Sequence, residues 1–378
     1  MAKKFLKSGI LMLVALMMVF ALSVSASPSY SASVPCYQGA VGLRTYSSAV
    51  GKYGSIPSAS LKNMQLYVGG MPFGVKFLTD GVIVAGTFEV KTDNGAKNPA
   101  AEAGIRQNDI ILEASGVKIT DTALLNELCE KSGGAAMKIV YLRNDKKHEC
   151  SLTPARSCDD GKYKTGMYVR DSGAGIGTVT YIMPQTLEFG GLGHGICDGE
   201  SGKLIPMQRG SVVGVTISGV VKGLVGTPGE VRGYFSSGKT GTLLQNTECG
   251  VFGAFAKLPE NAGTLMSVGT KDEMRTGEAY ILSTLDGTTP QKYRIEISDI
   301  RPGATGNKCF TVKVTDPALL EKSGGIVQGM SGSPIIQNGK IVGAVTHVLV
   351  NDPTTGYGIF IENMLGAAQA QMQMRNAA

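Results

Sequence analysis

Apolar positions in the second half of the chain come in short β-like stretches separated by glycines. These stretches lie at residues 178–183, 211–221, 250–255, 279–282, 293–297, 309–314, 341–349 and 358–361. Turn residues at such intervals are typical of a β-barrel or a β-sandwich. A run rich in Ala, Met and Gln at 362–375 has helical character. We therefore predict a mainly β domain over residues 155–378 that is closed by a C-terminal helix.

Residues 65–154 follow a different pattern, with strand-like runs at 81–86 and 137–142 and a helical run at about 121–131. Residues 99–112 read P-A-x-x-A-G-I-x-x-x-D-x-I-L and are similar to bacterial PDZ domains. Such domains bind an extended chain end by adding it to a sheet as a strand. The resemblance implies an α+β PDZ domain whose carboxylate-binding loop comprises Gly70, Met71, Pro72, Phe73, Gly74 and Val75.

The first 35 residues have the features of an export signal. Lys3, Lys4 and Lys7 precede an uninterrupted apolar run at 9–22, and small residues that a signal peptidase could recognise follow it. We predict that residues 1–35 are a signal peptide or an N-terminal membrane anchor, and either one places the rest of the chain outside the cytoplasm. Residues 36–64 are rich in Ser, Gly and Pro and are predicted to form a linker or arm.

Composition excludes several classes of function. The net charge of +6 includes the N-terminal lysines, and no basic stripe is interleaved with aromatic residues, so nucleic-acid binding is not expected. The seven cysteines form no C-x-x-C pair, and with no H-E-x-x-H motif we expect neither a metal nor a cofactor. They could include a Cys150–Cys158 disulfide or remain free thiols. Residues 233–240 match a phosphate-loop pattern, but no apolar strand precedes them, and we interpret them as a hairpin turn.

A candidate nucleophile lies near the C-terminus. Residues 329–334 read G-M-S-G-S-P, and small residues on both sides of Ser331 can expose its hydroxyl beside free backbone N–H groups. Acyl transfer needs that arrangement, because the hydroxyl attacks a carbonyl and N–H groups hold the oxyanion. The predicted oxyanion donors are the N–H groups of Gly329 and Ser331. Ser333 is either structural or a second hydroxyl near the site.

The base that activates this serine must be one of three histidines. His148 lies in a polar stretch and is predicted to be a surface residue. His194 is flanked by glycines, which let the backbone bring its ring close to another loop, and it is the favoured base over His347. Three acidic residues could orient the base: Asp316, Asp198 and Asp352. An Asp before Pro, as at Asp316, is also a common turn or helix-capping residue.

The order of these motifs resembles the SpoIVB peptidases, a family of sporulation signalling proteases. The resemblance rests on L-G-H-G-I around His194, Asp316 before a helical stretch, residues 326–340, and G-A-V-T-H-V at 343–348. It implies a PDZ domain followed by a chymotrypsin-like double β-barrel peptidase domain. By this resemblance His194 is the general base, Ser331 the nucleophile and Asp316 the acidic member, with Thr346 as an alternative helper.

The resemblance also implies a biological role. The protein would be exported across the forespore membrane into the intermembrane space, where it could also associate with the membrane surface. There it would cleave a membrane-bound regulator of an intramembrane protease and so activate the mother-cell sigma factor. It would cleave itself near the N-terminus, and binding of peptide chain ends by the PDZ domain would regulate it. The alternative is a non-catalytic PDZ adaptor or scaffold, against which the serine loop and the glycine-flanked histidine argue.

Overall fold

The protein is mainly β in this computed structural model, with 54% of residues in strands and 10% in helices. The structure describes residues 61–376 apart from 62, 145, 198–201, 203 and 206. The predicted signal or anchor segment, most of the predicted arm and the candidate acid Asp198 therefore lie outside the described residues.

The strands of the first half of the chain are β1 (Gln65–Val68), β2 (Pro72–Thr87), β3 (Val90–Thr92), β4 (Gly95–Lys97), β5 (Ile110–Ala114), β6 (Val117–Lys118), β7 (Met137–Arg143), β8 (Lys146–Leu152), β9 (Ala155–Arg156), β10 (Tyr163–Lys164) and β11 (Met167–Ile182). Those of the second half are β12 (Glu188–Gly191), β13 (Met207–Val221), β14 (Glu230–Thr247), β15 (Gly250–Phe255), β16 (Leu265–Ser267), β17 (Gly277–Ser283), β18 (Gln291–Ser298), β19 (Phe310–Val314), β20 (Pro334–Gln337), β21 (Lys340–Leu349) and β22 (Asp352–Phe360). The helices are α1 (Pro99–Glu102), α2 (Thr122–Lys131), α3 (Pro317–Ser323) and α4 (Ile361–Asn376).

Two antiparallel barrels carry the site. The first barrel has the strand order β11-β12-β15-β14-β13-β2 and closes by pairing of β2 with β11. The second is closed in the order β17-β18-β19-β22-β21-β20. Alternate residues of each strand point inward, so Phe73, Phe189 and Val251 fill the first core and Phe310 and Ile359 the second. The predicted double β-barrel is confirmed.

The α+β module is inserted between the first two strands of the first barrel. Strand β2 leaves the barrel after Leu78, and β11 enters it at Ser172, which is the register partner of Leu78. Residues 79–171, which we call the insert, have their own core around Ile111, Leu125 and Ile139. The prediction placed the peptidase domain at 155–378. In space, however, the first barrel also contains residues 72–78, because β2 supplies one of its strands.

The predicted carboxylate-binding loop does not lie on a free groove, and this assignment is corrected. Gly70–Val75 lead into and begin the barrel half of β2, where Met71, Phe73 and Val75 are each 2% exposed. The N–H of Gly70 donates to the Val179 carbonyl at 2.8 Å. Residues 73–78 pair with β11 on one edge and β13 on the other. No strand edge is therefore open here for a peptide to be added.

Several smaller predictions are also settled. Residues 233–240 lie within strand β14 and form no hairpin turn, which corrects that interpretation. Cys150 and Cys158 are free thiols and form no disulfide with each other. The C-terminal helix, predicted over 362–375, is α4. Among the described residues, no helix is long and apolar enough to cross a membrane.

Candidate active site

The nucleophile loop, residues 329–333, connects the segment after α3 to strand β20. Gly332 has φ +94°, in the left-handed region, and a Cβ at this position would overlap the Thr178 carbonyl oxygen. Only glycine therefore allows the loop to lie this close to the first barrel. Ser333 is fully buried, and its hydroxyl donates to the Met330 carbonyl at 2.7 Å. Of its two predicted roles, the structural one fits.

Two threonines of β11 hold the other side of this loop. Thr178 donates its backbone N–H to the Ser331 carbonyl at 3.0 Å and its hydroxyl to the Gly329 carbonyl at 2.8 Å. The hydroxyl of Thr180 donates to the Gly332 carbonyl at 2.8 Å. Sequence reasoning missed both threonines, because nothing in the sequence of a β-strand indicates which distant loop it will contact.

The predicted oxyanion donors are oriented by hydrogen bonds to the preceding carbonyls. The Gln328 carbonyl accepts from the Val231 N–H at 2.8 Å, and the Met330 carbonyl accepts from the Ser333 N–H at 2.9 Å. A trans peptide points its C=O and N–H in opposite directions, so these bonds also fix the N–H directions of Gly329 and Ser331. Neither N–H donates to any other residue that the structure describes. Both are free to bind an oxyanion.

His194 follows β12 on a turn that packs against the second barrel. Gly193 has φ +68°, and a Cβ there would come within 2.9 Å of the Thr346 methyl group. The ring of His194 is buried, and its Nδ1 donates to the Gly195 carbonyl at 2.9 Å. Burial lowers the pKa of His194, and the Gly195 hydrogen bond offsets this only in part. The imidazole is therefore neutral at pH 7, with the proton on Nδ1 and an unprotonated Nε2.

His347 lies against His194, with ring centroids 4.8 Å apart and an angle of 36° between the rings. It also lines the cavity that contains Ser331. Its Nδ1 is buried, and no hydrogen-bond partner for it is found among the described residues. Burial, and to a lesser extent the charges of His194 and Lys308, lower the pKa of His347 to about 2. The structure thus brings both candidate bases to one site, whereas His148 is exposed on the insert.

The hydroxyl of Ser331 donates to the Thr346 carbonyl at 2.7 Å. It makes no hydrogen bond to either histidine within the described part of the chain. Rotation about the Ser331 side chain must therefore release the Thr346 carbonyl before the hydroxyl can pass its proton to a base. The hydroxyl of Thr346 donates to the Asn307 carbonyl at 2.8 Å, so its predicted helper role finds no support in these contacts.

Asp316 is the N-cap of α3 in this structure. One carboxylate oxygen accepts from the backbone N–H groups of Ala318 and Leu319, and the other accepts from the Arg294 N–H at 3.1 Å. The structure does not bring it to a histidine, and the capping alternative explains its contacts. Asp352 is likewise engaged by neighbouring threonines. None of the acids that the structure describes hydrogen-bonds to His194, so the identity of the acidic member stays a prediction.

The chain is similar to several known proteins. A PDZ family model matches residues 69–153. The PDZ domain of an SdrC-like protein from Listeria monocytogenes is 24% identical over 24% of this chain and 87% of that chain, with a TM-score of 0.20. The active form of the Rv3671c protease from M. tuberculosis is 15% identical over 66% of this chain and 86% of that one, with a TM-score of 0.31.

An HtrA-type protease, AlgW with a decapeptide, is 13% identical over 54% of each chain, with a TM-score of 0.32. The family model for SpoIVB peptidase S55 matches residues 161–365, which is more than half of the chain. The match contains His194, Ser331 and every barrel strand except β2. The protein is a PDZ-containing serine endopeptidase that belongs to the SpoIVB peptidase S55 family.

Proposed function

We propose that this peptidase acts in sporulation signalling, where it cleaves a membrane-bound regulator and thereby activates an intramembrane protease and the mother-cell sigma factor. The family supports the signalling role. The observation that carries the catalytic part is the nucleophile loop, which holds two oriented N–H groups at Ser331. The cavity at Ser331 also contains His347, whose ring lies against that of His194. A protein or peptide substrate fits both the peptidase and the PDZ domain.

The reaction begins when the Ser331 hydroxyl leaves the Thr346 carbonyl and transfers its proton to Nε2 of His194. The alkoxide attacks the substrate carbonyl, and the N–H groups of Gly329 and Ser331 stabilise the oxyanion. The imidazolium of His194 keeps its Nδ1 hydrogen bond to the Gly195 carbonyl and donates the Nε2 proton to the leaving amine. Water, activated by the same nitrogen, then hydrolyses the acyl-enzyme.

The proposal includes export and self-cleavage. Residues 1–35 would direct the chain into the space between the forespore and mother-cell membranes, where a membrane surface and the substrate are both available. Self-cleavage would take place in the arm at residues 36–64, which is rich in Ser, Gly and Pro. The PDZ domain would bind peptide chain ends, its own or those of a partner, and regulate cleavage.

Labelling with a serine-reactive fluorophosphonate tests the catalytic part. We expect wild type and Ser333→Ala, if it folds, to be labelled and Ser331→Ala to be unlabelled. Loss of label in the folded Ser333→Ala protein alone would mean that the wrong serine is assigned. A folded wild-type protein that is never labelled and never cleaves a membrane partner would support the adaptor alternative. For the biological part, cells that carry Ser331→Ala should enter sporulation but fail to process the mother-cell sigma factor.

A further inference from the structure

A small cavity opens directly beside the nucleophile. Ser331 forms part of its wall, together with the strand segment that follows Thr346. The space open to the centres of water molecules is about 30 Å³. On that scale one water molecule needs roughly 10–15 Å³. This is room for two or three small atoms beyond the mouth, so the cavity is shallow.

Aliphatic side chains form most of the wall of this cavity, and Gln328, Ser331, Thr346 and His347 form the rest. The aliphatic side chains include Pro228 from the β13–β14 connection, Ile326 and Val327 ahead of the nucleophile loop, and Val348 and Val350 beyond Thr346. Ile326 is 2% exposed, and its Cδ1 would lie only 2.7 Å from a Cβ on Gly356. The Ile326 side chain therefore fills the space into which a deeper pocket would extend. Ionised side chains are absent from the described residues that line the cavity.

The geometry of the nucleophile loop decides which substrate group faces this cavity. The attacked carbonyl must place its carbon at Ser331 Oγ and its oxygen at the N–H groups of Gly329 and Ser331. When the Ser331 hydroxyl turns to attack, the Thr346 carbonyl loses its donor at 2.7 Å and needs a new one. The N–H of the residue that carries the attacked carbonyl, here called the acyl-side residue, can supply it. The N–H of the acyl-side residue is then held by the Thr346 carbonyl, and its C=O by the N–H groups of the nucleophile loop. In this position its side chain projects into the cavity that Ser331 lines.

We infer that this cavity is the specificity pocket for the acyl-side residue and that it selects a small aliphatic side chain, alanine or valine. This inference rests on the proposed role of Ser331. A lysine or arginine would bury its charge in a cavity whose described lining holds no carboxylate, and an aromatic ring exceeds the available depth. Threonine, which has the shape of valine, should be rejected only weakly, because an apolar pocket discriminates poorly against an added hydroxyl.

A set of fluorogenic peptides that differ only at the acyl-side residue tests the pocket on the purified peptidase. With Ala, Val, Leu, Phe and Arg at that position, we expect kcat/KM for Ala or Val to exceed that for Phe and Arg by about 100-fold or more, in the range of 10–200-fold per misfitted methylene. A preference for Phe or Arg, or no preference, would overturn the inference.

Pocket variants make the test specific. Val348→Ala should enlarge the cavity and raise kcat/KM for the Leu or Phe peptide about tenfold relative to the Ala peptide. Val350→Asp should give a similar relative gain for the Arg peptide by placing a carboxylate in the wall. Val221→Ala is the matched control, because Val221 is 38% exposed and lies outside the cavity. Unchanged selectivity in both folded pocket variants would contradict the inference.

Fluorophosphonate labelling of the same preparations separates the two levels of the argument. If Ser331 is labelled but the peptide preferences are wrong, the specificity pocket is overturned and the proposed peptidase chemistry stands. If Ser331 is not labelled in folded wild-type protein, the catalytic proposal fails and the pocket inference fails with it.

Discussion

The hydroxyl of Thr178 should be required to hold the nucleophile loop in its active geometry. Thr178 is 3% exposed, and its hydroxyl donates to the Gly329 carbonyl at 2.8 Å. Thr178→Val keeps the shape and the backbone N–H of this residue and removes only that hydrogen bond. A neutral hydrogen bond contributes about 0.5–1.5 kcal/mol net.

This energy sets the size of the expected effect. If the hydrogen bond favours the loop conformation that presents the Gly329 N–H, a loss of about 1.4 kcal/mol reduces kcat about tenfold. This lies below the roughly 10²–10³-fold cost of removing an oxyanion donor outright. KM should change by no more than about twofold, since the hydroxyl touches no substrate and acts on the transition state only through the loop.

Steady-state kinetics on a fluorogenic peptide with alanine on the acyl side would measure this split. Thr178→Ser retains a hydroxyl and should recover most of kcat. Thr284→Val is the matched control, because Thr284 is 4% exposed and its hydroxyl also donates to a glycine carbonyl, that of Gly70 at 2.9 Å. It should lose a similar amount of stability and keep its kcat. If the two Val variants have the same kcat, the loop-holding role of Thr178 is refuted.

Four further outcomes are expected. Ser331→Ala should change the free energy of unfolding by no more than about 1 kcal/mol and reduce peptide cleavage by several orders of magnitude, with His194→Ala nearly as severe and the double variant little worse in the same kinetic assay. Asp316→Ala should lower the free energy of unfolding in urea by about 0.5–2 kcal/mol, because the helix cap is lost, and it should leave kcat of the folded protein unchanged. A large fall in kcat would instead support Asp316 as the acidic member. Because the pKa of His347 is about 2 when folded and near 6.5 when unfolded, the unfolded state takes up its proton first. The stability contribution of this residue is therefore full above pH 6.5 and is lost as the pH falls, by up to about 1.4 kcal/mol per pH unit. His347→Gln should flatten the acid side of a profile of unfolding free energy against pH. Replacement of the insert, residues 79–171, by an Asn-Gly turn should leave a folded barrel that the fluorophosphonate still labels. Loss of labelling in the folded variant would contradict this prediction.

The parts of the fold that the sequence could predict are those with local signals. Glycine-separated apolar stretches indicated the barrels, and the motif at 99–112 indicated the PDZ domain. The insertion could not be predicted, because residues 72–78 have the same alternation whether their partners are PDZ strands or β13 and β11. Strand pairing between residues more than 90 positions apart leaves no local mark. The assignment of Gly70–Val75 as a carboxylate-binding loop was wrong for that reason.

The candidate site shows the same division. Ser331 and the turn at His194 could be predicted, because a close approach between backbones requires glycine at neighbouring positions. His347 could be proposed but not placed, since alternation along β21 allowed either face. Asp316 was favoured from the family resemblance, while the sequence Asp-Pro is equally typical of a helix N-cap, and the hydrogen bonds of its carboxylate match the cap. A carboxylate has the same appearance in a sequence whether it orients a histidine or caps a helix.

The insertion also changes how the boundary of the peptidase should be understood. Strand β11 is continuous from Met167 in the insert to Ile182 in the first barrel, and it carries both Thr178 and Thr180. The strand that leaves the PDZ domain is therefore the strand that hydrogen-bonds to the nucleophile loop. A deletion of residues 65–154, which follows the domain limits read along the sequence, would remove β1 and the barrel half of β2. The edge of β11 that pairs with β2 would then be open. Only a cut between the register partners Leu78 and Ser172 removes the insert and keeps the contacts that hold Ser331.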